Sequence, residues 1–157
     1  MEILLLCIGK TDEKIFVDLI DQYNKRINHY ITFKFEVILE NKIKKKSRPE
    51  QKILEEAKLL QKKIKHGDHV ILLDEMGKEF TSVAFAKKIE HKMISGTRRI
   101  VFIIGGAFGF SEQFKATHKE KLSLSKMTFS HQMIRLFFCE QLYRALTIIN
   151  NHPYHNN

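Results

Sequence analysis

Two runs in this chain have no polar residue to turn toward water: ILLLCI at 3–8 and IVFII at 100–104. A half-exposed strand alternates apolar and polar side chains, whereas an unbroken apolar strand must be covered on both faces. Strands of that kind belong to parallel sheets, whose crossover helices pack on the faces. The chain between the two runs supplies such crossovers. Residues 12–29 repeat Ile15, Phe16, Leu19, Ile20, Tyr23 and Ile27 at helical spacing. Residues 33–39 set Phe33, Phe35, Val37 and Leu39 against Lys34 and Glu36, the alternation of a strand near a sheet edge. Pro49 opens a helix that runs to about residue 65, and Thr81 or Ser82 caps another over 82–95 that stops at Gly96. With strands at 2–8, 69–74 and 99–104 and a turn at 75–78, the series is β-α-β-α-β-α-β. This predicts one α/β domain over 1–157, a layered and mostly parallel sheet with helices on both faces.

Composition narrows the partners. Hydrophobic residues make up 43% and charged residues 29%, the balance of a globular chain long enough to bury a core. No apolar run reaches membrane-spanning length, and MEILLLCIGK lacks the basic start and small-residue cleavage site of a signal peptide, so a cytoplasmic protein is expected. Cys7 and Cys139 both sit in apolar segments and read as reduced, buried thiols. The net charge of +9 favours a polyanionic partner, nucleic acid ahead of membrane.

The last third of the chain carries the chemistry. An apolar strand stops at Gly105-Gly106, and backbone without Cβ atoms lets a flat ligand approach the carboxyl end of a strand. A second strand at 122–125 leads to the same edge and into the loop Lys126-Met127-Thr128-Phe129. The turn reads G-G-x-x-G, not G-x-G-x-x-G, and no ribose-binding acid follows it, which argues against a nicotinamide oxidoreductase. His66-x-x-His69 and His152-x-x-His155 lack the helical frame or cysteines of a zinc site, so no metal is expected. A helix over 132–150 is apolar on more than one face, which a core position or a subunit interface would satisfy. Its Arg135, Glu140 and Arg144 then need partners or a ligand. Residues 42–48, with Lys44, Lys45, Lys46 and Arg48, form a basic segment that suits either solvent or phosphate. Tyr154 and His155 in the tail are residue types that stack on and hydrogen-bond to a base.

LLLCIGK, Leu72-Leu73-Asp74, IIGGAFG, LSLSKMTFSHQ, EQLYRA and the terminal NHPYH together resemble the RlmH family of SPOUT methyltransferases along nearly the whole chain. The resemblance implies a homodimer with a carboxyl-terminal trefoil knot. It implies transfer of a methyl group from S-adenosylmethionine to N3 of a pseudouridine in large-subunit (23S) ribosomal RNA, with the assembled ribosome as substrate. By motif match the cofactor would contact Leu73, Gly105, Leu124, Ser125, Lys126, Met127, Thr128 and Phe129. The catalytic and RNA-facing side would hold Arg144, Tyr154 and His155, with His131 close by. Two positions depart from the family pattern: Ser130 stands where proline is usual, which suggests a looser loop, and Asn156 where a basic residue is common. The competing reading is a basic RNA- or ribosome-binding protein that keeps the fold without the activity.

Overall fold

The computed structural model describes residues 1–39 and 48–154. In chain order it has β1 (Glu2–Ile8), α1 (Lys14–Asn28), β2 (Thr32–Ile38), α2 (Pro49–Gln61), β3 (His69–Glu79), α3 (Ser82–Ile94), β4 (Arg99–Ile104), α4 (Glu112–Thr117), β5 (Lys121–Ser123) and α5 (His131–Ile149). The five strands form one sheet in the order β2-β1-β4-β3-β5, and every pairing is parallel. The two unbroken apolar strands, β1 and β4, lie side by side within it, with β2 and β5 at the edges.

Alternate residues of β1 feed two separate cores. Ile3, Leu5 and Cys7 pack with Ile20 and Ile27 of α1, Phe85 and Ile89 of α3, and Phe138 and Leu142 of α5. Leu4, Leu6 and Ile8 pack on the other face with Leu60 of α2 and Phe114 of α4. The period-two geometry of a strand thus explains why no position in β1 after Glu2 tolerates a polar side chain. At the opposite end of the sheet from the glycine turn, Arg99 ties Asp68 and Glu2 together.

Three differences from the sequence reading have local causes. The expected turn at 75–78 is a bulge inside β3: Leu73 and Lys78 both pair with Leu122, and the polar residues between them swing out of the ladder. Gly77 makes this possible, since a Cβ there would meet the Leu122 backbone carbon at 2.6 Å. The helix at Pro49 ends at Gln61 rather than near 65. Finally, α4 had no counterpart in the sequence reading. It is short, starts where Ser111 accepts from the Phe114 amide, and buries only Phe114.

Candidate active site

The bulge of β3 and the carboxyl ends of β4 and β5 converge on a cleft of about 600 Å³. Ile104 delivers the chain to Gly105 and Gly106, and the Gly109 amide closes the turn by donating to the Gly106 carbonyl at 3.0 Å. Gly109 adopts φ +71°, which glycine takes without strain. Both leading glycines are packed from behind. A Cβ on Gly105 would press on the Phe110 ring at 3.2 Å, and one on Gly106 would lie 2.6 Å from Glu56 Oε2 of α2. Glu56 is buried there, directly behind the turn. The cleft therefore meets bare backbone on this wall.

The facing wall is the segment after β5. Ser125 Oγ accepts from the Met127 amide at 2.9 Å and the Ser123 hydroxyl donates to the Ser125 carbonyl at 2.9 Å, which curl the chain without glycine or proline. Phe129 packs edge-on against Phe137 with ring centroids 4.9 Å apart, fixing the far end of the loop to α5. Ser130, in place of the usual proline, is the N-cap of α5: its hydroxyl accepts from the Met133 amide at 3.3 Å. Arg135 then locks the first turns of α5 to the end of β1. It is 1% exposed and donates from Nη1 to Thr11 Oγ1 and from Nη2 to the Ile8 carbonyl, both at 2.7 Å.

Of the residues expected around a cofactor, Leu73, Gly105, Leu124, Ser125, Met127, Thr128 and Phe129 line the cleft. Lys126 belongs to the same loop but is exposed and does not line it. His131, expected toward RNA, is a cleft residue at the start of α5. Asp74, expected at the end of the strand, and Met76, in the segment expected as a simple turn, also line it, though neither was expected at the site.

Two of the three expected catalytic residues lie elsewhere. Arg144 and Tyr154 do not line the cleft: Arg144 is on α5 thirteen residues beyond His131, about 20 Å along the helix axis, and Tyr154 lies beside it in the tail after α5. There Arg144 donates from Nε and Nη2 to Glu140 Oε1 at 3.0 and 2.6 Å, and its guanidinium sits 4.8 Å from the Tyr154 ring centroid. The hydrogen bond to Glu140 raises the Arg144 pKa further, so the side chain remains a cation. The Tyr154 hydroxyl donates to Glu140 Oε1 at 3.3 Å. Burial, and then the Tyr23 hydroxyl, push the Tyr154 phenol up to about 12, so it stays protonated at neutral pH.

All four tyrosines of the chain meet at this corner. The Tyr143 ring touches those of Tyr23, Tyr30 and Tyr154 edge-on. Tyr30 shares a 2.6 Å hydrogen bond with His152 Nδ1, which fastens the tail to the end of α1. The sequence pattern places Tyr23 in the core face of a helix, raises His152 only as half of a rejected metal pair, and does not single out Arg26 or Tyr30. The only available signal was their aromatic and basic character, since the contact spans more than a hundred residues of chain. Arg48, expected toward RNA, precedes Pro49 at the N-cap of α2. Lys44, Lys45, Lys46 and His155 lie outside the described residues.

Among the described residues no group of three or more His, Cys, Asp or Glu side chains could hold a metal ion, and no helix is long and apolar enough to cross a membrane.

A parallel sheet with a bare glycine turn and a cleft at its carboxyl edge is the frame of an α/β protein that takes a small organic ligand. Comparison with known proteins narrows this class. Residues 1–155 match a family described as "Predicted SPOUT methyltransferase". Over 156 residues and 99% of both chains, the sequence is 51% identical to the protein named Ribosomal RNA large subunit methyltransferase H of Parabacteroides distasonis. It is 53% identical to the protein of that name from Phocaeicola vulgatus and 46% to that of Porphyromonas gingivalis, with the same coverage. A solved structure titled as a probable methylase family protein from Haemophilus influenzae matches with a TM-score of 0.51, over 99% of this chain and 70% of that one. At 14% identity that likeness is one of fold. The chain belongs to the SPOUT methyltransferase family, among the relatives named Ribosomal RNA large subunit methyltransferase H.

Proposed function

We propose that this enzyme transfers a methyl group from S-adenosylmethionine to N3 of a pseudouridine in 23S ribosomal RNA. Its substrate is the assembled ribosome in the cytoplasm, and it works as a homodimer of single-domain chains with the carboxyl end tied in a trefoil knot. The observation that carries the reading is the cleft: about 600 Å³, bounded by the Gly105-Gly106 backbone and the 124–129 loop. That volume is in the range of pockets that enclose ligands of nucleoside size, about 300–1,000 Å³. The glycines fit the purpose, because Glu56 and Phe110 fill the space behind them and a ligand on that wall meets main-chain groups.

When bound, S-adenosylmethionine supplies an electrophilic methyl group on a sulfonium. The protein's task is to align the acceptor nitrogen with it and exclude water. Leu73, Leu124 and Phe129 give the cleft apolar walls, and its backbone groups hold the polar edges of the ligand. N3 of the uracil ring must lose its proton to attack. His155 accepts that proton, directly or through water, and Arg144 stabilises the negative charge that spreads onto the ring. Tyr154, held neutral, acts as hydrogen-bond donor and stacking surface rather than as base. Lys44, Lys45, Lys46 and Arg48 contact RNA phosphates.

The placement of Arg144 within one chain supports the homodimer. Arg144 sits thirteen residues along α5 from the cleft residue His131, about 20 Å of helix axis, with Tyr154 beside it, so neither reaches a base presented in its own chain's cleft. A second chain, packed along the half-buried apolar face of α5 that includes Leu136, Phe137 and Ile148, brings its own Arg144 and Tyr154 to the cleft.

Calorimetric titration of the purified protein with S-adenosylmethionine, S-adenosylhomocysteine and NADH tests this reading. Saturable binding of the first two alone is expected; NADH binding in their place would return the site to dinucleotide chemistry.

A further inference from the structure

The tyrosine corner holds a second arginine, and it differs from Arg144 in the respect that matters for binding an anion. Arg144 already has a carboxylate, since Glu140 accepts two of its N–H groups. Arg26, in the last turn of α1, is exposed and pairs with no carboxylate among the described residues. What holds it instead is aromatic: its guanidinium carbon lies 5.5 Å from the centroid of Tyr23 and 5.9 Å from that of Tyr143. Tyr143 is the ring against which Tyr154 packs at 4.8 Å, so Arg26 and Tyr154 flank one side chain.

A guanidinium that rests near phenol rings without a carboxylate partner keeps N–H groups free for an anion, and its planar fork of donors matches two phosphate oxygens. Little rotamer freedom remains to be lost on binding, because the rings already hold the side chain. Resting on the function proposed above, we infer that Arg26 is a substrate-binding residue: it takes a backbone phosphate of the RNA strand whose base is presented to Tyr154 and Arg144. The division of labour is electrostatic. Arg144, tethered to Glu140, acts at short range on the reacting base, while Arg26 carries an unneutralised charge that fixes the strand's register.

The alternative is structural: Arg26 as a stacked side chain that complements the carboxyl end of the α1 dipole. Methyl transfer kinetics on ribosomes lacking the modification separate the two. In Arg26→Gln, KM for ribosomes should rise about tenfold with kcat nearly unchanged, the signature of lost uniform binding. The slope of log(kcat/KM) against log salt should flatten by about one, the share of a single phosphate contact. Affinity for S-adenosylmethionine and the dimeric state should not change. Arg26→Lys, which keeps the charge but not the planar fork, should recover the salt slope and only part of the KM. A wild-type protein that transfers no methyl group would overturn the function itself. An active wild type beside an Arg26→Gln variant of unchanged KM and slope would overturn the assignment of Arg26 alone. So would a variant that is monomeric or loses only thermal stability.

Discussion

At the scale of the residue, the cleft depends on what lies behind the glycines as much as on the glycines. Gly106 must lack a Cβ because the buried Glu56 carboxylate occupies that space, not because the backbone is strained. Gly106→Ala should therefore push the turn toward the cleft and weaken S-adenosylmethionine binding at least tenfold, about 1.4 kcal/mol. Calorimetry reads this directly, and an unchanged affinity would mean that Glu56 moves aside instead. The need for glycine after β4 was legible in the sequence, since an unbroken apolar strand ending in Gly-Gly marks a close backbone approach. Its cause was not. Glu56 lies fifty residues away on a helix whose own pattern gives no reason for a buried acid. Tyr154 shows the same division: the residue was singled out by type, but its protonation state follows from the burial and the Tyr23 hydroxyl that the fold supplies.

At the scale of the element, α5 joins two regions that a single chain keeps apart. Its first residue lines the cleft, and its fourth turn carries Arg144 beside Glu140. Arg135 fixes the helix to β1, so this separation is rigid. If one chain's Arg144 serves its partner's cleft, two impaired variants should complement each other at S-adenosylmethionine concentrations too low to fill the weakened Gly106→Ala cleft. Mixing Gly106→Ala chains with Arg144→Ala chains and letting subunits exchange should restore about a quarter of wild-type activity, since half of the dimers then carry one intact site. No recovery, with exchange confirmed by mass spectrometry, would mean that each site is built within one chain. The sequence indicated a helix apolar on more than one face, and the fold agrees: Phe138, Leu142 and Leu146 are buried while Phe137 and Tyr143 are only partly covered. The β3 bulge and α4 escaped the sequence reading for a different reason. Each is decided by one long-range contact, Gly77 against Leu122 and Phe114 against the second core, with no periodicity of its own.

At the scale of the whole molecule, charge and topology agree. A net charge of +9 on 157 residues suits a small enzyme that must find a polyanionic particle, and long-range attraction speeds that encounter. The parallel order β2-β1-β4-β3-β5 brings the bulge of β3 and the ends of β4 and β5 to one edge, so residues from Leu73 to Ile134 meet in one cleft. Alternation of apolar strands and helices was enough to expect such a sheet. The strand order was beyond it, because nothing local says that β5 adds outside β3. The proposed chemistry is tested by methyl transfer from isotopically labelled S-adenosylmethionine to unmodified ribosomes, followed by nuclease digestion and mass spectrometry of the 23S RNA. One labelled methyl group per ribosome, on N3 of a pseudouridine, is the expected result. Label on another base, on ribosomal protein, or nowhere despite demonstrated cofactor binding would contradict it.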